Sequence, residues 1–413
     1  MKKILIISFL LIAFIYAEKA KSCTVAVISG KYTKDGRPLL WKNRDTWAIN
    51  NQIMYFKGGK YSFMGLVNSR DKKGKSVWMG MNDQGFAIMN SNSYNLNLGD
   101  SAKHSGLEGR LIKHALATCA TVQDFQDYLN GLQIPTGIEG NFGVIDGQGG
   151  AVLFELGFRG YEKFDANDPK VAPFGYVLRG NYSFTGSYGE ESSGYIRYNT
   201  VNDLFYQAAA NNTFDVQFIL QDVTRGLKHS LLKTDLYEQY ANVPENTQTF
   251  SFFHDFVPRK STASACVVQG VKKGEDPVYT TLWSAVGFPL TSIVIPTWIK
   301  GQNTFPEILK VNDKLKDSPI CNAALTLKEE LFPIRWGKFA TKYYININAL
   351  INADKTGIRQ KIKPYEDEIF KQTCKNLDKW RSSGMRKNEI EQYYDWLNDY
   401  VKKSYKKNFN IEL

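Results

Sequence analysis

Histidine is scarce in this chain of 413 residues: His104, His114, His229 and His254 are the whole supply. None stands in a His-Glu-x-x-His arrangement, no phosphate-binding glycine loop occurs, and Gly147-Gln148-Gly149-Gly150 reads as a turn between strands. Cysteine is also sparse, at five, and no spacing among Cys23, Cys119, Cys266, Cys321 and Cys374 suits zinc. Ribonucleoprotein motifs and a continuous basic helix are missing too, so the +11 net charge does not read as a nucleic-acid footprint. Much of that charge lies in Lys371 to Lys407, where bases alternate with acids and aromatics as on a solvated helical face, an anionic surface or substrate being the minority reading. No Pro/Ser-rich linker, low-complexity tract or repeat divides the chain. Nothing calls for a cofactor or metal.

What is present begins with a leader. Lys2 and Lys3 precede an apolar run from Ile4 to Ala17. As a helix it spans about 21 Å, short of the roughly 30 Å of bilayer hydrocarbon, so it reads as a secretory signal that is removed rather than a membrane anchor. Two cuts fit, after Ala17 or after Ser22; the second satisfies the small-residue rule through Ala20 and Ser22 and exposes Cys23. The first leaves Glu18 to Ser22 as a propeptide needing further cleavage. A rival reading is a lipoprotein signal in which Cys23 carries lipid, against which Lys21 stands. Loss of residues 1–22 removes four lysines and one glutamate and leaves a charge of +8.

A mature Cys23 would hold its thiol beside its own α-amine. Thiols titrate near ~8.5 and α-amines near ~7.7 to 8.0, so the amine can take the thiol proton at neutral pH without a histidine. A papain-like Cys-His protease fits poorly, because Cys23 lacks the surroundings of such a nucleophile.

From Cys23 to about Trp298 the pattern is of many β-like segments broken by Gly, Asn and Asp turns: Ser62 to Asn68, Ser76 to Met81, Phe86 to Met89, Asn141 to Ile145, Ala151 to Leu156, Cys266 to Val271 and Ser292 to Pro296. Leu107, Leu111 and Leu116 suit one helix, and Thr121 to Asp124 opens another with a capping signature. After Trp298 the composition shifts toward Lys, Asn and Tyr. There Asn388 with Glu391 resembles a capping box, followed by Ile390, Tyr394, Leu397 and Val401 on one helical face. Three segments follow: a leader at 1–22, a catalytic domain at 23–300 and a mainly helical extension at 301–413. Composition alone supports a mixed α+β protein.

Lys34-Asp35-Gly36 makes a turn that should pair the Cys23 strand with Leu39 to Asn43 and return Arg44 and Asp45 to the amino terminus. A carboxylate there suits the need to orient an α-amine.

In this order the motifs resemble the choloylglycine hydrolase and penicillin acyltransferase branch of the N-terminal-nucleophile hydrolases. Cys23-Thr24, Asp35-Gly36 and Lys42-Asn43-Arg44-Asp45 look like the family's Cys-Thr, Asp-Gly and Arg-Asn-x-Asp, with lysine in place of the first arginine. That replacement keeps a cation but loses the planar fork; Arg44 next door could compensate, though it should point to the opposite face. Asn82 to Asn90 looks like the Asn-x-x-Gly strand that ends in an oxyanion-hole asparagine, Asn90. Val177 to Asn181 looks like the segment bearing the second active-site asparagine, Asn181. Ser192 to Tyr198 looks like Ser-x-x-Arg-Tyr/Phe, with Arg197 its arginine, and Thr281 to Pro289 looks like a later core strand and turn.

The resemblance implies a four-layer αββα sandwich with two antiparallel sheets, to which the composition and periodicity after Trp298 add the carboxy-terminal helical extension. It implies a catalytic set of Cys23, Asp45, Asn90, Asn181 and Arg197, with Lys42 at the substrate. Cys23 would attack an amide carbonyl, the asparagines would stabilise the oxyanion, and water would resolve the thioester; an amine arriving first would make the protein an acyltransferase. The expected protein is a secreted or periplasmic amidase for small N-acyl amides, with no nucleic-acid partner and no membrane insertion after leader removal. A bile salt hydrolase of the same superfamily and a non-catalytic lipid-anchored envelope protein are the alternatives. Trp41, Trp47, Tyr55 and Phe56 are candidates for an apolar acyl pocket, though each is also simply a good strand former. Of two glycosylation sequons, the one at Asn181 conflicts with its implied role; the one at Asn211-Asn212-Thr213 matters only in a eukaryotic source.

Overall fold

A computed structural model of the chain describes residues 23–187 and 194–413. The leader, and Ser192 and Ser193 of the segment that precedes Arg197, lie outside the described residues.

The apolar run that follows Cys23 forms β1 (Thr24–Ile28), and β2 (Leu39–Asp45) folds back on it in the register Thr24 with Asn43 and Ile28 with Leu39. Gly36 allows the reversal: its φ of +73° lies in the left-handed region that side chains resist. The next seven strands form one antiparallel sheet in chain order: β3 (Asn51–Phe56), β4 (Phe63–Asn68), β5 (Met79–Asn82), β6 (Ala87–Ser91), β7 (Gly140–Ile145), β8 (Ala151–Gly157) and β9 (Gly160–Asp165). Helices α1 (Glu108–Thr118) and α2 (Val122–Asn130) are inserted between β6 and β7. Strand β10 (Tyr176–Arg179) then returns to pair with β1, and α3 (Tyr195–Ala210) follows. Strands β11 (Thr262–Gln269), β12 (Thr281–Val286) and β13 (Ile295–Thr297) complete a six-stranded antiparallel sheet of order β10-β1-β2-β11-β12-β13.

Strand alternation sorts the apolar side chains into layers. Val25, Val27 and Leu40 point inward to meet Met64, Met81, Met89 and Leu153 of the other sheet. Ala26, Ile28 and Trp41 point outward, under Val201 and Phe205 of α3. On the far side Phe86, Ile88, Phe142 and Phe154 lie under Leu111 and Ile112 of α1 and Phe125 of α2. The result is the expected order of helix, sheet, sheet, helix. The sheets approach closely at Gly143, where an added Cβ would come within 2.7 Å of Val27 of the other sheet.

The later helices α4 (Pro319–Leu331), α5 (Ile358–Ser383) and α6 (Lys387–Phe409) extend the inter-sheet core, contributing Leu327, Trp380 and Leu397 to it. The Trp298 amide donates to Tyr394 Oη at 2.8 Å, and Glu366, fully buried, is paired with Arg225 and, at 2.8 Å, with Arg359. No helix among the described residues is long and apolar enough to cross a membrane.

Several local expectations need correction. The strand read from Ser76 begins only at Met79, because the Ser76 amide is taken by Asp71 Oδ2 and the Val77 amide by the Gly109 carbonyl. Asn388 and Glu391 do not cap α6, which starts at Lys387 after Arg386 with no side-chain cap. Thr121 does cap α2, with Asp124 reciprocating in a capping box.

Candidate active site

The hairpin register decides what surrounds Cys23. Thr24 faces Asn43 on β2, and Val25 faces Arg179 on β10, so chain continuation brings Arg44 to one flank of Cys23 and Asn181 to the other. Cys23 is buried, and its thiol lies 3.9 Å from the Asp45 backbone carbonyl, to which it donates. It opens on a cavity of about 440 Å³ shared with Lys42, Arg44, Asp45, Trp78, Asn90 and Asn92. His104 and Glu108 also line it.

Lys42 continues the inward face of Leu40, and its ammonium donates to Asn90 Oδ1 at 2.8 Å and to the Trp78 carbonyl at 3.0 Å. A lysine offers only donors, so the Asn90 oxygen must face it and the Asn90 NH₂ turns the other way. Asn90 is thereby presented as a donor. Burial pushes the Lys42 pKa down to about 8; the nearby Cys23 pulls it up again, and Arg44 pushes it further down.

Arg44 is two residues beyond Lys42 and therefore shares its face, not the opposite one. Strand alternation has a period of two, and both side chains line the cavity. Its guanidinium donates to Asn51 Oδ1 and, at 2.8 Å, to Asn68 Oδ1, with Trp78 at 4.9 Å from ring centroid to Arg44 Cζ. Burial lowers its pKa to about 10.

Asp45 sits at the end of β2 with its carboxylate engaged by residues far along the chain. Thr262 donates to Oδ1 at 2.6 Å, and Arg259 lies 3.7 Å from Oδ2. Burial raises its pKa against the pull of Arg259 and Arg197. Arg197, on the first turn of α3, is fully buried and donates through Nε to Thr24 Oγ1 at 3.3 Å; Asp255 Oδ1 lies 3.3 Å from its Nη1. Asp255 in turn meets His254 Nδ1 at 2.8 Å. Burial alone would raise the Asp255 pKa, but His254, Arg197 and Arg259 together hold it at about 2.

Asn181 donates one amide hydrogen to the Asn92 carbonyl at 2.8 Å, and its buried Oδ1 has no hydrogen-bond partner. An asparagine carries a second amide hydrogen, so a donor remains to it. Its complete burial also leaves the Asn181 sequon inaccessible.

All six residues singled out from the sequence thus collect around β1, with Lys42, Asp45 and Asn90 in the cavity itself and Arg197 and Asn181 beside the strand. Sequence reasoning missed Asn92, which lines the cavity although it reads as a turn residue, and Trp78, His104 and Glu108. It also missed Arg259, Thr262 and Asp255, which carry no motif and reach the site only through β11 and the loop before it. Of the four candidate aromatics only Trp47 lines the cavity, at its rim and 61% exposed. Trp41 points to the outer layer and donates to Thr224 Oγ1, Tyr55 lines a separate cavity, and Phe56 stacks on Phe63.

No family model and no curated protein matches the chain. Solved structures are similar to it at low identity. A mutant conjugated bile acid hydrolase from Clostridium perfringens shares 13% identity, covering 67% of this chain and 92% of that one, with a TM-score of 0.41. A penicillin V acylase from Agrobacterium tumefaciens shares 14%, covering 67% and 86%, at 0.35. A Caenorhabditis elegans ortholog of N-acylethanolamine-hydrolyzing acid amidase shares 13%, covering 47% and 86%, at 0.33.

Proposed function

We propose that this chain is an N-terminal-nucleophile hydrolase, exported and processed at Ser22-Cys23, that cleaves the amide bond of small N-acyl compounds through a Cys23 thioester. The observation that carries the reading is the cluster around Cys23: a thiol at the start of β1, opening on a cavity with a side-chain amide donor fixed by a buried cation. The order of motifs along the sequence supports the same assignment.

In this mechanism the α-amine released by cleavage accepts the thiol proton, and the thiolate attacks the carbonyl carbon. The negative charge that develops on oxygen is met by the Asn90 amide and by the second hydrogen of Asn181. One such donor contributes about 2.7 to 4 kcal/mol of barrier lowering. Lys42 holds Asn90 and supplies positive charge beside the thiolate. The α-ammonium then returns its proton to the leaving amine, and water hydrolyses the thioester. Arg197 and Asp45 act as positioning groups, the first through Thr24 and the second through the end of β2.

Incubation of the mature protein with an N-acyl amide, followed by intact mass after acid quench, tests this. An acyl adduct on Cys23 that is lost in Cys23→Ala supports the reading, and turnover that persists in Cys23→Ala overturns it.

A further inference from the structure

Asp45 is buried, and its carboxylate is gripped by a turn that lies 217 positions further along the chain. Strand β11 pairs Ser264 with Arg44, so a regular ladder would set Ala263 opposite Asp45. Instead the register shifts between Thr262 and Ser264, and Thr262 takes that place. A bulge re-aims a side chain, and this one puts a hydroxyl where an alanine methyl would otherwise face a buried carboxylate.

The direction of that hydroxyl is set by its own turn. The Arg259 amide donates to Thr262 Oγ1 at 2.7 Å, and the Thr262 amide donates back to the Arg259 carbonyl at 2.8 Å. A hydroxyl has one proton to give; with Arg259 on its lone pair, the proton goes to Asp45 Oδ1 at 2.6 Å. The same turn carries the Arg259 guanidinium to 3.7 Å from Oδ2, and its Ser261 carbonyl accepts from the Thr46 amide at 3.1 Å. Both carboxylate oxygens and the backbone just after Asp45 are thus held from residues 259–262. Burial drives the Asp45 carboxyl toward its neutral form, and Arg259 pulls hardest the other way, ahead of Arg197, whose own contacts include Thr24 and Asp255.

We propose that Arg259 and Thr262 are positioning residues for amide cleavage: they hold the Asp45 carboxylate in the place from which it orients the Cys23 α-amine toward the thiol. This rests on the amidase reading. Neither residue lies in a motif that carries the family resemblance, and neither lines the cavity, so both act through Asp45.

Two assays on the mature protein test this: turnover of N-lauroylglycine, and alkylation of Cys23 by iodoacetamide at pH 7, read on the Cys23 peptide, which needs no substrate. Thr262→Val, which removes the hydroxyl at nearly constant volume, and Arg259→Gln should each lower kcat at least tenfold, about what one charge-assisted hydrogen bond confers, with KM within about threefold. Alkylation should slow by a similar factor. Thr262→Ser and Arg259→Lys should each recover part of the loss. In an Asp45→Asn background, Thr262→Val and Arg259→Gln should each change the alkylation rate by less than about twofold, as residues acting through Asp45 must. Rates equal to the wild type in both assays, a loss confined to KM, or an undiminished loss in the Asp45→Asn background overturns the proposal. If no N-acyl amide leaves an acyl adduct on Cys23, the amidase reading falls instead, and the alkylation cycle still decides whether Arg259 and Thr262 act on Cys23 through Asp45.

Discussion

Lys42 and Asn90 are 48 positions apart in the chain, yet one is what makes the other a donor. The sequence offered each through a motif; it had no means of showing that the lysine grips the Asn90 oxygen. It also set Arg44 on the wrong side of the strand, although residues 42 and 44 share parity and Leu40 marks their face as inward. Two predictions belong to this scale. Lys42 is cationic below about pH 8 and neutral above it, so kcat/KM should fall as pH rises through that value. In Lys42→Arg, whose guanidinium keeps its proton, the alkaline limb should move up by a unit or more; a limb that stays in place would assign it to another group. Asn90→Ala should lower kcat roughly 10² to 10³-fold with folding intact by circular dichroism, the usual loss for one oxyanion donor.

Among the elements, the β1 to β2 hairpin was the most legible, because two short apolar runs on either side of a glycine turn specify its pairing. The contribution of β11 was not. Thr262 at its start reaches Asp45, and the preceding loop supplies Arg259 and Asp255, but nothing local in Val257 to Thr262 announces a task. Asp255 even adopts a φ of +61°, unusual outside glycine, and its carboxylate bridges Arg197 to His254. Its pKa is depressed from 3.8 to about 2, so its contribution to stability is present above its unfolded value and is lost as pH falls through about 2. Asp255→Asn should therefore destabilise the protein at pH 7 by about 1–2 kcal/mol, the part of the shift left after screening of a side chain about a quarter exposed. Urea denaturation should show that difference shrinking between pH 4 and pH 2; a difference constant with pH would place the effect in packing instead.

For the whole molecule, composition and periodicity indicated mixed helix and strand, while the two-sheet layering came from the family resemblance. The reason is physical: a strand such as β7 or β8, covered on both faces, loses the alternation that would reveal which sheet it joins. How the carboxy-terminal helices dock was equally invisible, because it rests on Glu366 of α5 meeting Arg225 from 141 positions earlier. Glu366→Gln should cost about 3–5 kcal/mol by leaving Arg225 and Arg359 buried without their anion, readable as a lowered denaturation midpoint; a change under 1 kcal/mol would show that the pair is dispensable.

Everything proposed for the site depends on Cys23 becoming a free amino terminus. The direct measurement is the intact mass and amino-terminal sequence of the mature protein. A chain that begins at an unmodified Cys23 is the predicted result, whereas a diacylglyceryl mass on Cys23, or a stable start at Glu18, would contradict the account.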